Sequence, residues 1–301
     1  MRSEEKFFNA HPHPNPLPMG EGTLSMQDPL PSQERKMSNL IQLIDHPNHI
    51  IEVRLNRPDK RNAMSFALLR ELLKVGEQLH EQRHIRAVIL TGEGSSFSAG
   101  IDLNDLQSPK NAVTAMWELS KPGPNLFQRV FLVWRDLPVP VIAAIHGHCF
   151  GAGMQLALGA DFRIATPDSQ LAIMEARWGL VPDMAITATL RGLIGLDVAK
   201  ELTMTARIVS GTQAKSIGLI SHVADEPINK ALELAAEIAT RSPDAVLAAK
   251  RVLNAMVSQP ESDTLALEKR WQRRLLLGKN FKIAGKRAKT PELDFVQREF
   301  D

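Results

Sequence analysis

Two short apolar runs, Ala87-Val88-Ile89-Leu90 and Val139 to Ile145, each end abruptly in a glycine-rich turn. Runs of this length, stopped by Gly92 and Gly94 in one case and by Gly147, Gly151 and Gly153 in the other, read as strands buried on both faces. Helical patterns lie around them. Met64 to His80 carries Leu68, Leu72, Val75 and Leu79 at helical spacing, residues 126–136 read the same way, and Met154 to Leu158 opens a helix straight after the second turn. Upstream, Ile51, Val53 and Leu55 alternate with Glu52 and Arg54, the pattern of a half-buried strand, which Asn56-Arg57-Pro58-Asp59 ends. Phe162-Arg163-Ile164 and Leu171-Ala172-Ile173 add short strands, with helices expected near 183–194 and 198–205. Strands alternating with helices call for an α/β architecture around buried sheets.

After Asn229 the pattern turns wholly helical, over 229–240, 243–257 and 262–278. The last of these sets Leu265, Trp271, Leu275 and Leu276 among many charges, an apolar stripe that must cover either the core or a neighbouring subunit. Three regions follow: a tail over 1–38, a core over 39–228 and a helical region over 229–301. Pro12, Pro14, Pro16, Pro18, Pro29 and Pro31 break any helix in the tail, which is expected to be disordered, with translation expected to start at Met37. No apolar run approaches a membrane span, and the first residues lack the apolar stretch of a secretory signal. A single cysteine fits a reducing, cytoplasmic setting, and a net charge of +2 is too small to argue for nucleic acid. The sequence contains no tyrosine, so no mechanism here uses a phenol.

The chemistry is expected at the two turns, Thr91 to Leu103 and His146 to Gln155. Neither completes a dinucleotide fingerprint, no Gly-Lys-Ser/Thr makes a phosphate loop, and no G-x-S-x-G makes a hydrolase elbow. Such turns do supply free main-chain N–H groups, in the second turn at the start of a helix. Two N–H groups converging on one carbonyl oxygen make an oxyanion hole, in which each donor contributes about 3–4 kcal/mol to the transition state. The alternative is that glycine merely relieves steric strain in two tight turns.

Spacing and flanking residues add to this. Asn56-Arg57-Pro58 with Asn62-Ala63-Met64, Phe97 to Leu103, Val141 to Gly153, Asp161 to Ala165, Met174-Glu175 with Gly179-Leu180-Val181-Pro182, Ala199 to Leu202, Ala214 to Ile220 and Ser242-Pro243 together form a set. From about residue 40 onward the chain resembles the crotonase superfamily, the enoyl-CoA hydratase/isomerase family. The resemblance implies a spiral of ββα repeats with a C-terminal helical trimerisation region. It also implies an acyl-CoA thioester as substrate, with no separate cofactor, and a homotrimer or hexamer. By position, the N–H groups of Ile101 and Ala152 would form the oxyanion hole, with Ala152 where the family usually has glycine. Ala99, Arg57 and Lys282 would meet coenzyme A. Lys282 belongs to a basic stretch with Lys279, Lys286, Arg287 and Lys289 that otherwise reads as a solvated tail.

Glu175 matches the family's proton-moving glutamate and stands among apolar residues, where desolvation raises a carboxyl pKa; the alternative is a surface pair with Arg177. Gln155 stands where a two-carboxylate hydratase has a second glutamate. An amide can orient water but cannot take its proton, which favours a 1,3-proton shift over hydration. Asp183 matches an aspartate of dienoyl-CoA isomerases in the family, the alternative being a helix-capping residue after Pro182. His146, His148 and Cys149 resemble part of a metal cluster, but no further ligands follow at suitable spacing. Residues 104–125, with Met116 and Trp117, read as a loop that shapes the acyl pocket. Two other functions compete: RNA binding through Lys269, Arg270, Arg273 and Arg274, which lack an aromatic platform and are set against by the modest net charge, and a catalytically silent acyl-CoA binder.

Overall fold

The computed structural model describes residues 33–36 and 39–301. The expected tail and the start at Met37 lie outside them, apart from Gln33–Lys36, which forms a strand, β1. It pairs antiparallel with β2 (Ile41–His46), and β2 with β3 (Ile50–Leu55). Beyond β3 the sheet runs parallel through β4 (Ala87–Gly92), β5 (Val141–Ile145), β7 (Phe162–Ala165) and β10 (His222–Val223). A second, three-stranded sheet is made of β6 (His148–Phe150), β8 (Gln170–Ala172) and β9 (Val209–Ser210).

One face of the large sheet carries Val53, Val88, Leu90, Val141 and Ala143 into the main core, against α1 (Phe66–His80) and α4 (Leu126–Asp136). The other carries Ile50, Ala87, Ile89, Ile142 and Ile164 against Ala231 and Ala235 of α9 (Pro227–Ala239). That second cover corrects the expectation for β3. The strand is not half-buried: Glu52 is fully buried, bonded to Arg54 Nε at 2.7 Å and to His46 Nε2 at 2.8 Å. Burial alone pushes its carboxyl pKa up, but those bonds outweigh it and hold the value below the usual range.

The remaining helices are α2 (Leu103–Leu106), α3 (Pro109–Leu119), α5 (Ala152–Leu158), α6 (Ile186–Thr189), α7 (Leu196–Thr205) and α8 (Gly211–Ser216). After α9 follow α10 (Pro243–Met256), α11 (Glu261–Leu277) and α12 (Lys279–Arg287). The helix expected over 183–194 shrinks to four residues, because Ala185 and Gly192 take positive φ on either side of it. Of the basic stretch, whose alternative reading is a solvated tail, Lys279, Lys282, Lys286 and Arg287 lie on α12 and Lys289 follows it. Past α12 the chain returns to the core: buried Asp244 accepts hydrogen bonds from Asn280 Nδ2 and from the N–H groups of Glu299 and Phe300, and Arg298 donates to the carbonyl of His80. Arg274 stacks between Trp271 and Phe300, 4.7 Å from each ring centre. No described helix is long and apolar enough to cross a membrane.

The two glycine turns meet edge to edge. Gly147 is the tightest point: its φ is +56°, and a Cβ there would lie 2.1 Å from the carbonyl oxygen of Ser95. Gly147→Ala is therefore expected to cost about 3 kcal/mol or more, from positive φ and a backbone clash combined. Gly285→Ala, in open space on α12, is expected to be neutral or slightly stabilising. Chemical denaturation of the two variants checks the contrast.

Candidate functional site

A short ladder of main-chain hydrogen bonds joins the turns: Phe97 N–H to His146 O at 2.9 Å, Ser98 N–H to His148 O at 2.9 Å and Phe150 N–H to Ser98 O at 3.0 Å. On its other side the first turn pairs with Met64, whose N–H donates to Gly100 O at 2.7 Å and whose carbonyl accepts from Asp102 N–H at 3.0 Å. In an extended chain, groups of adjacent residues point to opposite sides, so the N–H of Ile101 faces away from Met64. No hydrogen bond among the described residues uses the N–H of Ile101 or of Ala152. The turns approach closely here. A Cβ on Gly100 would lie 2.9 Å from Phe150 O and 3.7 Å from Ala152 N, so glycine with φ +97° is required.

Ile101 and Ala152 both line a cavity of about 430 Å³, along with Ala99, Glu175 and Asp183. Leu103 and Leu106 of α2, Ala115 and Leu119 of α3 and Phe127 of α4 make an apolar wall, and Trp178, Leu180 and Val181 stand exposed at its edge. The segment expected as a loop over 104–125 is thus largely helical. Ser108 caps α3 and Pro109 follows at its first position, a start signal present in the sequence. Glu175 and Asp183 are the charged side chains of the described wall.

Glu175 opens a 3₁₀ turn after β8 and two intervening residues, Ile173 and Met174, with its carboxyl against Gly151: a Cβ there would lie 3.3 Å from Glu175 Oε1. Oε1 accepts from Gln155 Nε2 at 2.7 Å, whereas Oε2 is buried without a hydrogen-bond partner among the described residues. Burial, aided by the charge of Asp183, raises its pKa above the usual carboxylate range. Asp183 is raised too, again by burial. The capping alternative for Asp183 is not realised, because α6 starts at Ile186 with Ala185 before it. The surface alternative for Glu175 is not realised either: its partner is Gln155, and Arg177 is exposed.

Other expected site residues stand elsewhere. Gln155 is fully buried and lies behind Glu175, off the cavity wall. Arg57 is committed to Asp102, with two guanidinium nitrogens at 3.1 Å from Oδ2, and braces the first turn without lining the cavity. Lys282 is exposed on α12, also off the wall. His148 bonds Ser96 Oγ at 2.9 Å, His146 bonds Gly94 O at 3.0 Å, and Cys149 is a buried free thiol whose pKa burial pushes up. The main-chain N–H of Met184, which holds Gln155, was missed by reasoning from the sequence; no side-chain pattern signals a backbone donor.

The chain is similar to several known proteins. A family model described as enoyl-CoA hydratase/isomerase matches residues 45–290. A mitochondrial Delta(3,5)-Delta(2,4)-dienoyl-CoA isomerase of Rattus norvegicus is 37% identical over 231 residues, covering 74% of this chain and 70% of the rat protein. A putative enoyl-CoA hydratase/isomerase of Bacillus subtilis is 37% identical over 225 residues, covering 74% and 84%. Among solved structures, an enoyl-CoA hydratase from Bacillus anthracis superposes with a TM-score of 0.78 at 31% identity, over 86% of this chain and all of that one (100%). A putative enoyl-CoA hydratase from Thermobifida fusca in complex with CoA gives 0.71 at 31% identity, covering 79% and 93%.

The raised carboxyl has a thermodynamic signature. Between the unfolded and the raised folded pKa of Glu175, the folded state binds the extra proton, so this group's contribution to stability falls as pH rises through that window. Glu175→Gln removes the charge and keeps an oxygen for Gln155 to donate to. It is expected to melt higher than wild type at pH 8, with the gap closing as pH drops into the ordinary carboxylate range. Parallel melting curves across pH would show that the carboxyl is unperturbed.

Proposed function

Because this chain belongs to the enoyl-CoA hydratase/isomerase family, we propose that it is an acyl-CoA enzyme shifting double bonds in a dienoyl thioester, with Glu175 and Asp183 as its acid–base pair. The observation that carries this reading is the cavity itself: two carboxyls with raised pKa values face one apolar space bordered by the N–H groups of Ile101 and Ala152. Those N–H groups would hold the thioester oxygen as it gains negative charge. Ionised Glu175 takes the proton from the carbon next to the thioester carbonyl, giving an extended enolate. Protonated Asp183 then delivers a proton to the far end of the conjugated system, so a 3,5-dienoyl thioester becomes the 2,4-dienoyl isomer. Proton exchange between the carboxyls and solvent resets the pair. No atom is gained or lost, so the reaction needs no cofactor beyond the coenzyme A of the substrate.

Hydration fits less well. With Gln155 in place of a second carboxylate, and behind Glu175, no second base stands beside Glu175 at that position to activate water. Similarity to the rat dienoyl-CoA isomerase supports the same choice. Ala99 borders the cavity where coenzyme A would enter, and Arg57 would act through the turn it braces. Lys282 would reach coenzyme A only across a subunit contact. Val181, Leu196 and Met204 are 70% or more exposed, which supports a homotrimer or hexamer. The one cysteine, buried and free, supports a reducing cytoplasm.

Assays with crotonyl-CoA, a 3-enoyl-CoA and a 3,5-dienoyl-CoA test the proposal. Turnover is expected to be fastest on the dienoyl ester, and hydration of crotonyl-CoA as the dominant activity would overturn it. Glu175→Gln and Asp183→Asn are each expected to lower dienoyl turnover by about 10²–10⁴-fold while binding of the CoA ester survives.

A further inference from the structure

We propose that Gln155 is the positioning residue of this site, a single amide that ties the Glu175 carboxyl to the main chain beside Asp183 and favours the ionised form of Glu175. The inference rests on the acid–base reading given above. Gln155 sits in α5, fully buried, and both ends of its amide are engaged. Nε2 donates to Glu175 Oε1 at 2.7 Å, and Oε1 accepts from Met184 N–H at 2.9 Å. The main-chain donor fixes the amide's orientation, since only an oxygen can accept there, and so the NH₂ group must face the carboxyl. Met184 directly follows Asp183 in the chain. The bridge therefore runs from one carboxyl to the backbone adjoining the other, and with Oε1 held, Oε2 remains the unpartnered oxygen of Glu175.

A glutamate at 155 would keep the bond to Met184 but turn an oxygen toward Glu175. Two carboxyls at that distance share a proton instead of both ionising. The amide donates instead, and stabilises ionised Glu175 against burial and against the charge of Asp183. Asp183, from the segment ahead of α6, is the one charged group facing Glu175 among the described cavity residues; α5 brings the neutral Gln155, and the walls from α2, α3 and α4 are apolar. No side chain donates a hydrogen bond to Asp183 among the described residues, and burial holds its pKa up.

The test follows the carboxyl bands of the full chain by infrared titration, with Glu175 and Asp183 identified by what Glu175→Gln and Asp183→Asn remove. Gln155→Leu, which deletes the charge-assisted bond, is expected to move the Glu175 titration up by about one pH unit or more. Gln155→Glu is expected to move it further, and the acid limb of the dienoyl kcat profile should follow while KM changes little. A merely structural Gln155 predicts that folded Gln155→Leu leaves both profiles in place, whereas Gln155→Glu, by adding a second carboxyl, moves them in either case. If Gln155→Leu does not fold, as thermal melting will show, Gln155→Met, an uncharged chain of similar length with no donor, carries the comparison. An unmoved Glu175 titration in the folded uncharged variant overturns the inference. Full turnover by Glu175→Gln alongside a shifted titration in Gln155→Leu would instead remove the catalytic reading and leave the bridge standing.

Discussion

Everything at this site depends on one backbone contact, the ladder by which residues 97–98 pair with residues 146–150. The two turns come from separate strand–helix units, so each alone would present its N–H groups to solvent in an arbitrary direction. Once paired, their mutual orientation is set by hydrogen bonds between groups with little freedom of their own. A preorganised pair of donors costs no reorganisation when charge develops on a bound carbonyl. Glycine at 100 and 147 makes this possible, since a side chain at either place would hold the turns apart.

Around that ladder the protein tolerates local disadvantage. A carboxyl raised by burial, beside a second one raised for the same reason, works against folding at neutral pH. The surroundings offset this with a core buried on both faces of the large sheet and with charge pairs placed elsewhere. Lys250, nine-tenths buried, bonds Asp161 at 2.7 Å and the carbonyl of Val139 at 2.9 Å, anchoring α10 to the strand that leads into the second turn. Glu52 shows the contrasting case, a buried carboxyl given two basic partners and therefore held ionised. A fully buried and a half-buried glutamate thus take opposite shifts because their neighbours differ.

Much of this could be read from residues alone. The buried strands, α1, α4 and the C-terminal helices follow from periodicity, and Glu175 and Asp183 were recognisable through the family resemblance. What escaped depends on tertiary cover or on backbone groups. Glu52 alternates with apolar residues like a solvent-facing position, yet it is fully buried, on a sheet whose second face α9 covers. Residues 183–194 carry a helical pattern that positive φ at Ala185 and Gly192 cuts short. Gln155 was legible as a departure from a two-carboxylate pattern. Its partner Met184 was not, because a main-chain N–H has no signature in side-chain chemistry.

The return of the last residues to the first helix bears on how the chain folds as it is made. Arg298 donates to the carbonyl of His80, and Arg83 donates to the carbonyl of Glu299, across a separation of 216 residues. Contacts that distant cannot form early, because the intervening chain must first be synthesised and its loop closed. On the ribosome the end of α1 therefore waits with these partners unmade until residues 298–301 have left the exit tunnel.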